Sequence, residues 1–272
     1  VLRVASFVCL DAPLVAIAWQ ALFAHVFATS LSGAARAALF FTTWGIYLLD
    51  RLADEASVRP GMPMSGRQRF ARAHRPLGIA VLALVAAIDL AMIARLSVAL
   101  LVAGAAVGLV CAIYLTVNRR VDRAWRWIPM KELCIGGLFA LGTVAALVPR
   151  MRAAAGFVPS VALFATLCAT NCAVIAVWER GLDVQQGKPS LATQTQLARH
   201  VPWILVGLAL AACASIVTGV PLALAAPVAI SALAMAALHA VHRSLPPDER
   251  TALADLVLLV PLLELGLVVV LR

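Results

Sequence analysis

Charge is scarce in this sequence, and negative charge scarcer still. Of its 272 residues, 13% are Asp, Glu, Lys or Arg, and only thirteen are acids. Soluble globular domains carry about a quarter charged residues, so so sparse a set excludes that class. Aromatic residues are also few, at 6% with two tyrosines. The six cysteines (Cys9, Cys111, Cys134, Cys168, Cys172 and Cys213) form no CxxC and have no histidine at zinc-ligand spacing. All fall within or beside apolar segments, so buried reduced thiols are expected rather than a redox or zinc site. A cleavable signal is not expected either. The first apolar stretch carries Asp11, lacks a small-residue cleavage site followed by a soluble domain, and leads straight into the next apolar run.

What fills the chain instead is apolar: 63% of residues are hydrophobic and the mean hydropathy is +0.98. The apolar runs are about 18 to 22 residues long, enough to cross roughly 30 Å of hydrocarbon as helices. Nine spans follow: Asp11 to Ala28, Ala34 to Leu52, Pro76 to Leu96, Ser97 to Val117, Lys131 to Leu147, Phe157 to Trp178, Pro202 to Val220, Leu222 to His239 and Leu253 to Leu271. The expected fold is all-α, a single integral-membrane bundle of nine transmembrane helices. The third–fourth and seventh–eighth junctions are short enough to demand tight antiparallel hairpins.

The net charge of +9 reflects topology rather than nucleic-acid binding. Placing the amino terminus and the loops after even-numbered spans on one side gathers seventeen of the twenty-two Lys and Arg residues there. Arg36, Arg95, Arg150, Arg152 and Arg272 remain on the other side. The positive-inside rule then sets the amino terminus in the cytoplasm and the carboxyl terminus outside. The bases also suit contact with anionic membrane lipid.

Against that scarcity, two pairs of acids stand out: Asp50/Asp54 and Glu179/Asp183, each closing a long apolar helix. A four-residue spacing puts both carboxylates of a pair on one helical face, one turn apart. Both pairs fall at the cytoplasmic face. Four negative charges at helix mouths of a membrane protein invite neutralisation by a divalent cation or a metal-bound phosphate. Arg51, Arg180 and Lys188 share these loops, and a mixed set of acids and bases suits a metal-bridged diphosphate. A polybasic lipid anchor would need no acids.

The second span ends Trp44-Gly-Ile-Tyr-Leu-Leu-Asp50-Arg-Leu-Ala-Asp54, and the sixth ends Asn171-Cys-Ala-Val-Ile-Ala-Val-Trp-Glu179-Arg-Gly-Leu-Asp183. Nine spans with acidic motifs after the second and sixth resemble the UbiA superfamily of intramembrane prenyltransferases. The resemblance covers nearly the whole chain in topology and about thirty residues in motif. Of that family's NDxxDxxxD motif only the last two acids are matched; Ile46 and Tyr47 stand at the Asn and first Asp positions. Its DxxxD is matched with Glu179 in place of the first Asp. Tyr114, Arg119-Arg120, and Lys131 ahead of Gly136-Gly137 are similar to the family's Tyr, basic and Lys-then-Gly pattern, which implies phosphate contact.

The resemblance implies that Asp50, Asp54, Glu179 and Asp183 hold two Mg2+ ions bridging the diphosphate of a polyprenyl donor. About four positive charges from the metals against four carboxylates and a diphosphate near −3 leave roughly three for Arg51, Arg119, Arg120, Lys131, Arg180 and Lys188 to cover. The leaving diphosphate is stabilised as the carbon–oxygen bond ionises, and the apolar bundle keeps the allylic cation from water. The prenyl group passes to a lipid-soluble acceptor. Tyr47, Trp44, Asn171 and Trp178 are candidates for the substrate pocket. Tyr47 offers a phenol, poor for magnesium but able to bond a phosphate or face a cation. Asn171 either orients an acceptor oxygen or acts as interhelical glue. Trp44 and Trp178 line the prenyl tunnel or sit in an interfacial belt.

Asp11, Asp89, Asp255 and Glu264 lie in or at the ends of spans. Each is either a base or orienting group for the acceptor, or a neutral acid or cap between helices. His239 and His242 read as an interfacial pair, lacking a third metal ligand. A terpene cyclase of the same superfamily needs no acceptor, but the low aromatic content favours transfer. A transporter or lipid-binding scaffold has no need of paired DxxxD motifs, and no matched Gly/Pro-broken helices are evident in the sequence.

Overall fold

A computed structural model describes residues 2–120, 131–151 and 154–270, with side chains described for 5–117, 131–151 and 154–266. The described residues are helical with no strand. The helices are α1 (Leu2–Phe7), α2 (Asp11–Val26), α3 (Gly33–Ser57), α4 (Gly66–Ala73), α5 (Arg75–Ile93), α6 (Val98–Arg120) and α7 (Lys131–Val144). They continue with α8 (Val148–Met151), α9 (Phe157–Gln186), α10 (Leu191–Gln194), α11 (Val201–Ser215), α12 (Leu222–Val241), α13 (Pro247–Val257) and α14 (Pro261–Val270).

Among the described residues the first eight expected spans each fall on a helix, and four helical segments are long and apolar enough to cross a membrane: Arg75–Ile93, Val98–Val117, Phe157–Gln186 and Leu222–Ser244. Asp11–Val26 and Val201–Ser215 are apolar but shorter. The 25 residues of α3 are long enough, yet Thr42, Thr43, Asp50, Arg51, Asp54 and Glu55 dilute their hydropathy. The expected ninth span is broken. Pro261 has no N–H to offer the carbonyl of Val257, four residues back, and the chain leaves the helix between Leu258 and Val260. Ser231 Oγ donates to the freed Val257 oxygen at 3.0 Å, and Trp19 Nε1 to that of Leu258 at 2.9 Å. Irregular backbone inside an apolar bundle needs such donors.

The central element is α9. It packs on α7, α11, α12 and α13, and with α2 encloses the main core around Trp19, Phe23, Phe164, Leu167 and Leu224. The α7–α9 crossing is tight because Gly136 has no side chain: a Cβ there would lie 2.3 Å from the Ala169 backbone nitrogen. The seventh–eighth hairpin forms as expected, with α11 against α12. The α5–α6 pair diverges instead. Although four residues join them, α5 packs on α3, and α6 on α7 and α8. Both show large apolar side chains to the outside, including Leu77, Leu84, Leu90, Val98, Val102 and Leu109. An apolar surface of that extent is what lipid covers.

Candidate functional site

The polar site is assembled by the ends of α3 and α9 and by the short α4 between spans. Two caps aim its residues. Gly187, at φ +68, ends α9: its N–H and that of Lys188 donate to the carbonyls of Val184 and Asp183. This is a Schellman turn, which only a residue tolerant of positive φ makes without strain. It folds Lys188 back over the helix end, where Nζ forms an ion pair with Asp54 Oδ1. At the start of α4, Ser65 and Gln68 form a reciprocal capping box, and Asp248 Oδ1 accepts from Gly66 N at 3.1 Å. The box fixes Gln68 so that its Nε2 donates to Asp54 Oδ2 at 2.8 Å, and its amide pairs reciprocally with that of Gln186.

Arg67, the preceding residue, reaches the second acidic motif, with Nη2 donating to Glu179 Oε1 at 2.5 Å. Burial opposes its charge, but Glu179, Asp255 and Asp11 more than offset that, so the guanidinium holds its proton more firmly than a free arginine. Ser190, Glu179, Lys131 and Lys188 all act electrostatically on Asp183. Arg51 acts electrostatically on Cys9 and Asp54. Asp50 is exposed and interacts electrostatically with Tyr114 of α6.

Several of the expected residues therefore come together: Asp54 pairs with Lys188 and Glu179 with Arg67, Arg51 acts electrostatically on Asp54, and Lys131 and Lys188 on Asp183, with Asp50 and Tyr114 interacting beside them. Arg180 is exposed and stands outside this group. The side chains of Arg119 and Arg120 lie outside the described residues. Tyr47 and Asn171 lie beneath the group, where Asn171 Nδ2 donates to Asp255 Oδ1 at 3.1 Å. Trp44 and Trp178 part company. Trp44 packs with Cys9, Leu48 and Val85 and donates to the Val8 carbonyl at 2.9 Å. Trp178 packs with Val174, Leu205 and Met235, stacks on His239 and His242, and donates to His239 Nδ1 at 3.0 Å. The two tryptophans thus do not share a pocket wall.

Sequence reasoning passed over Arg67, Gln68 and Glu132. The Ser65-x-x-Gln68 spacing is itself a helix-start signature, and it was the signal for the first two. Glu132 is buried; its Oε1 accepts from Leu191 N at 2.9 Å, and Oε2 is buried without a partner. Asp89 serves between helices, accepting from Thr42 Oγ1 at 2.7 Å.

Magnesium takes oxygen ligands, and the donor types here are right for it. Among the described residues no three His, Cys, Asp or Glu side chains gather to hold a metal ion. Asp54 and Glu179 are each engaged by a cation of the chain. A cage of two magnesium ions would need both carboxylates to leave those cations. What the arrangement offers is bases held in place by acids. The Nε atoms of Arg51 and Arg67 are buried with no acceptor, and an unsatisfied buried donor is costly unless something accepts from it.

No protein-family model, no curated protein and no solved structure matches this chain.

Proposed function

We propose that the protein is an intramembrane enzyme acting on a prenyl diphosphate, transferring its prenyl group to a lipid-soluble acceptor. One observation carries the reading: the ends of α3 and α9 meet through Lys188, Gln68 and Arg67, beside buried arginine N–H groups that lack acceptors. Phosphate oxygens are natural acceptors for Arg Nε and Lys Nζ. Arg51, Arg67, Lys131 and Lys188 receive the diphosphate, and Asp54, Glu179 and Asp183 hold those bases at the mouth. As the allylic carbon–oxygen bond ionises, negative charge grows on the leaving group, where the bases already stand. The isoprenoid chain lies among the apolar helices, away from water.

In this reading the chain is a nine-span bundle of UbiA type, with the site and the amino terminus on the cytoplasmic side. Transfer is placed ahead of cyclisation because the aromatic faces are spoken for. Trp19 stacks on Phe164 at 4.2 Å, and both are fully buried against neighbours rather than open to a cation.

The test is diphosphate release by purified protein in detergent, given geranyl, farnesyl or geranylgeranyl diphosphate, with and without a membrane lipid extract, and in magnesium or EDTA. Release that needs the extract supports transfer, and release with a hydrocarbon product and no extract means cyclisation. Asp50→Ala and Asp183→Ala are expected to abolish turnover, and Glu264→Gln to lower it less. Release that collapses in EDTA would mean that the carboxylates give up Arg67 and Lys188 to take metal. Silence with all three substrates under every condition refutes the reading.

A further inference from the structure

Glu132, in the first turn of α7, has no part in the chemistry so far. An acid in a first turn ordinarily stands in water and complements the helix dipole. Glu132 is instead 4% exposed, and its Oε1 accepts from the backbone N–H of Leu191, 59 positions away, at 2.9 Å. Burying a carboxylate is costly, so the dipole alone does not account for its place.

The bond closes a short segment that carries Lys188. Each backbone N–H from Gly187 to Leu191 has a partner. Those of Gly187 and Lys188 donate to the Val184 and Asp183 carbonyls at the end of α9, at 3.2 and 2.8 Å. Pro189 has none to give. Ser190 N donates to Thr193 Oγ1 at 2.9 Å, one half of a reciprocal capping box at the start of α10. Of these residues Leu191 alone reaches a helix other than α9 and α10, and what it reaches is Glu132. Lys188 is thus held from both sides. The turn at Gly187 sets where it leaves α9, and three residues on, within about 11 Å of chain, Glu132 sets how far the segment stands from α7. Lys131 precedes Glu132 in that same turn, so the bond also ties together the two lysines assigned above to the diphosphate.

We propose that Glu132 is a positioning residue for diphosphate binding: through Leu191 it sets the place of Lys188 relative to Lys131. The role rests on the prenyl-diphosphate reading above, and Glu132 itself touches no substrate. A lysine on a loose segment loses freedom when the anion binds. One on a tied segment has lost it already, so the anion binds more tightly.

The tests use the full chain in detergent. Hydrogen exchange resolved to single amides by mass spectrometry reads Leu191. Its N–H is expected to be protected in the wild type, to exchange at least about tenfold faster in Glu132→Ala, and to stay protected in Glu132→Gln, whose amide oxygen accepts the same bond. Calorimetric titration with inorganic pyrophosphate and magnesium reads the site. The Kd is expected to rise about tenfold in Glu132→Ala and to stay within about threefold of wild type in Glu132→Gln. A variant that merely folded poorly would show fewer binding sites with an unchanged Kd. Lys188→Met is expected to weaken binding as well, and Glu132→Ala to add nothing to it, because both act through one group. A Leu191 amide that exchanges freely in the wild type overturns the proposal without any variant. So does a Glu132→Gln that behaves as Glu132→Ala, or a Glu132→Ala effect that adds in full to that of Lys188→Met. Wild-type binding with an unchanged Kd in Glu132→Ala refutes the positioning role alone. A wild type that binds no pyrophosphate refutes the diphosphate reading, and the positioning role with it.

Discussion

Replacing Arg67 with Met should destabilise the protein by about 2–3 kcal/mol. The side chains of Arg67 and Glu179 are 11% and 26% exposed. Removing one partner of a fully buried pair costs about 3–5 kcal/mol, chiefly because the other charge is left alone. Water at the exposed quarter of Glu179 reduces that figure. The loss is not only the pair's, since Arg67 also faces the Asp11–Asp255 carboxyls. Glu179→Gln, which leaves the guanidinium those other partners, should cost less, about 1–2 kcal/mol. The double variant should recover about 1–2 kcal/mol relative to the sum of the singles, because neither leaves a stranded charge at that contact. The assay is unfolding in mixed micelles by titration with sodium dodecyl sulfate, followed by helical circular dichroism, for the wild type, both singles and the double. Additive singles, within about 0.5 kcal/mol, would refute the claim that this contact ties the loop helix α4 to the second acidic motif.

The Asp54–Lys188 pair predicts a pH effect. Burial pushes the Asp54 carboxyl up, Lys188 and Gln68 more than offset it, and its pKa lies below the ordinary 3.8. A lowered folded pKa contributes stability that is fully present above 3.8 and lost as pH falls through the lower folded value. Lys188→Met should therefore lose about 0.5–1 kcal/mol at neutral pH and show a shallower acid limb, checked by unfolding titrations from pH 7 to about 3; a limb as steep as the wild type's would count against the pair. Gly136→Val should yield no monodisperse protein on size-exclusion chromatography, because its Cβ would lie 2.6 Å from the Ala169 Cα; Gly137→Val, which meets nothing within 4 Å, should be tolerated.

The helices were legible because hydropathy over a window of about twenty residues is a local property. The convergence of the two acidic motifs was legible too, since both sit at like ends of apolar helices. What the acids do on arrival was not. Their neutralisation depends on Arg67, carried by an eight-residue helix with a polar sequence, Gly66–Ala73, that hydropathy treats as loop. Lys188 was legible as a neighbour of Asp183, but its pairing with Asp54, 134 positions away, needs the turn at Gly187 to aim it. The sequence shows how many negative charges gather, and the fold adds the cations that arrive from other elements to meet them.

The broken last span shows the same limit and links it to Asp255. Read as a string, Leu253 to Leu271 is one apolar run with a proline in it, and a single Pro is often absorbed by a membrane helix. Whether the helix absorbs it or breaks depends on donors for the carbonyls that Pro261 releases. Here they come from Ser231 on α12 and Trp19 on α2, 26 and 239 positions from the oxygens they bond. With those carbonyls satisfied from outside, α13 ends at Val257, two residues after Asp255. The short helix carrying Asp255 is therefore anchored by side chains at its end and by Asn171 along its length. An ionisable group that the sequence marks only as costly inside a membrane thus sits at a junction of three helices, beside a stretch where the backbone has already left regular structure.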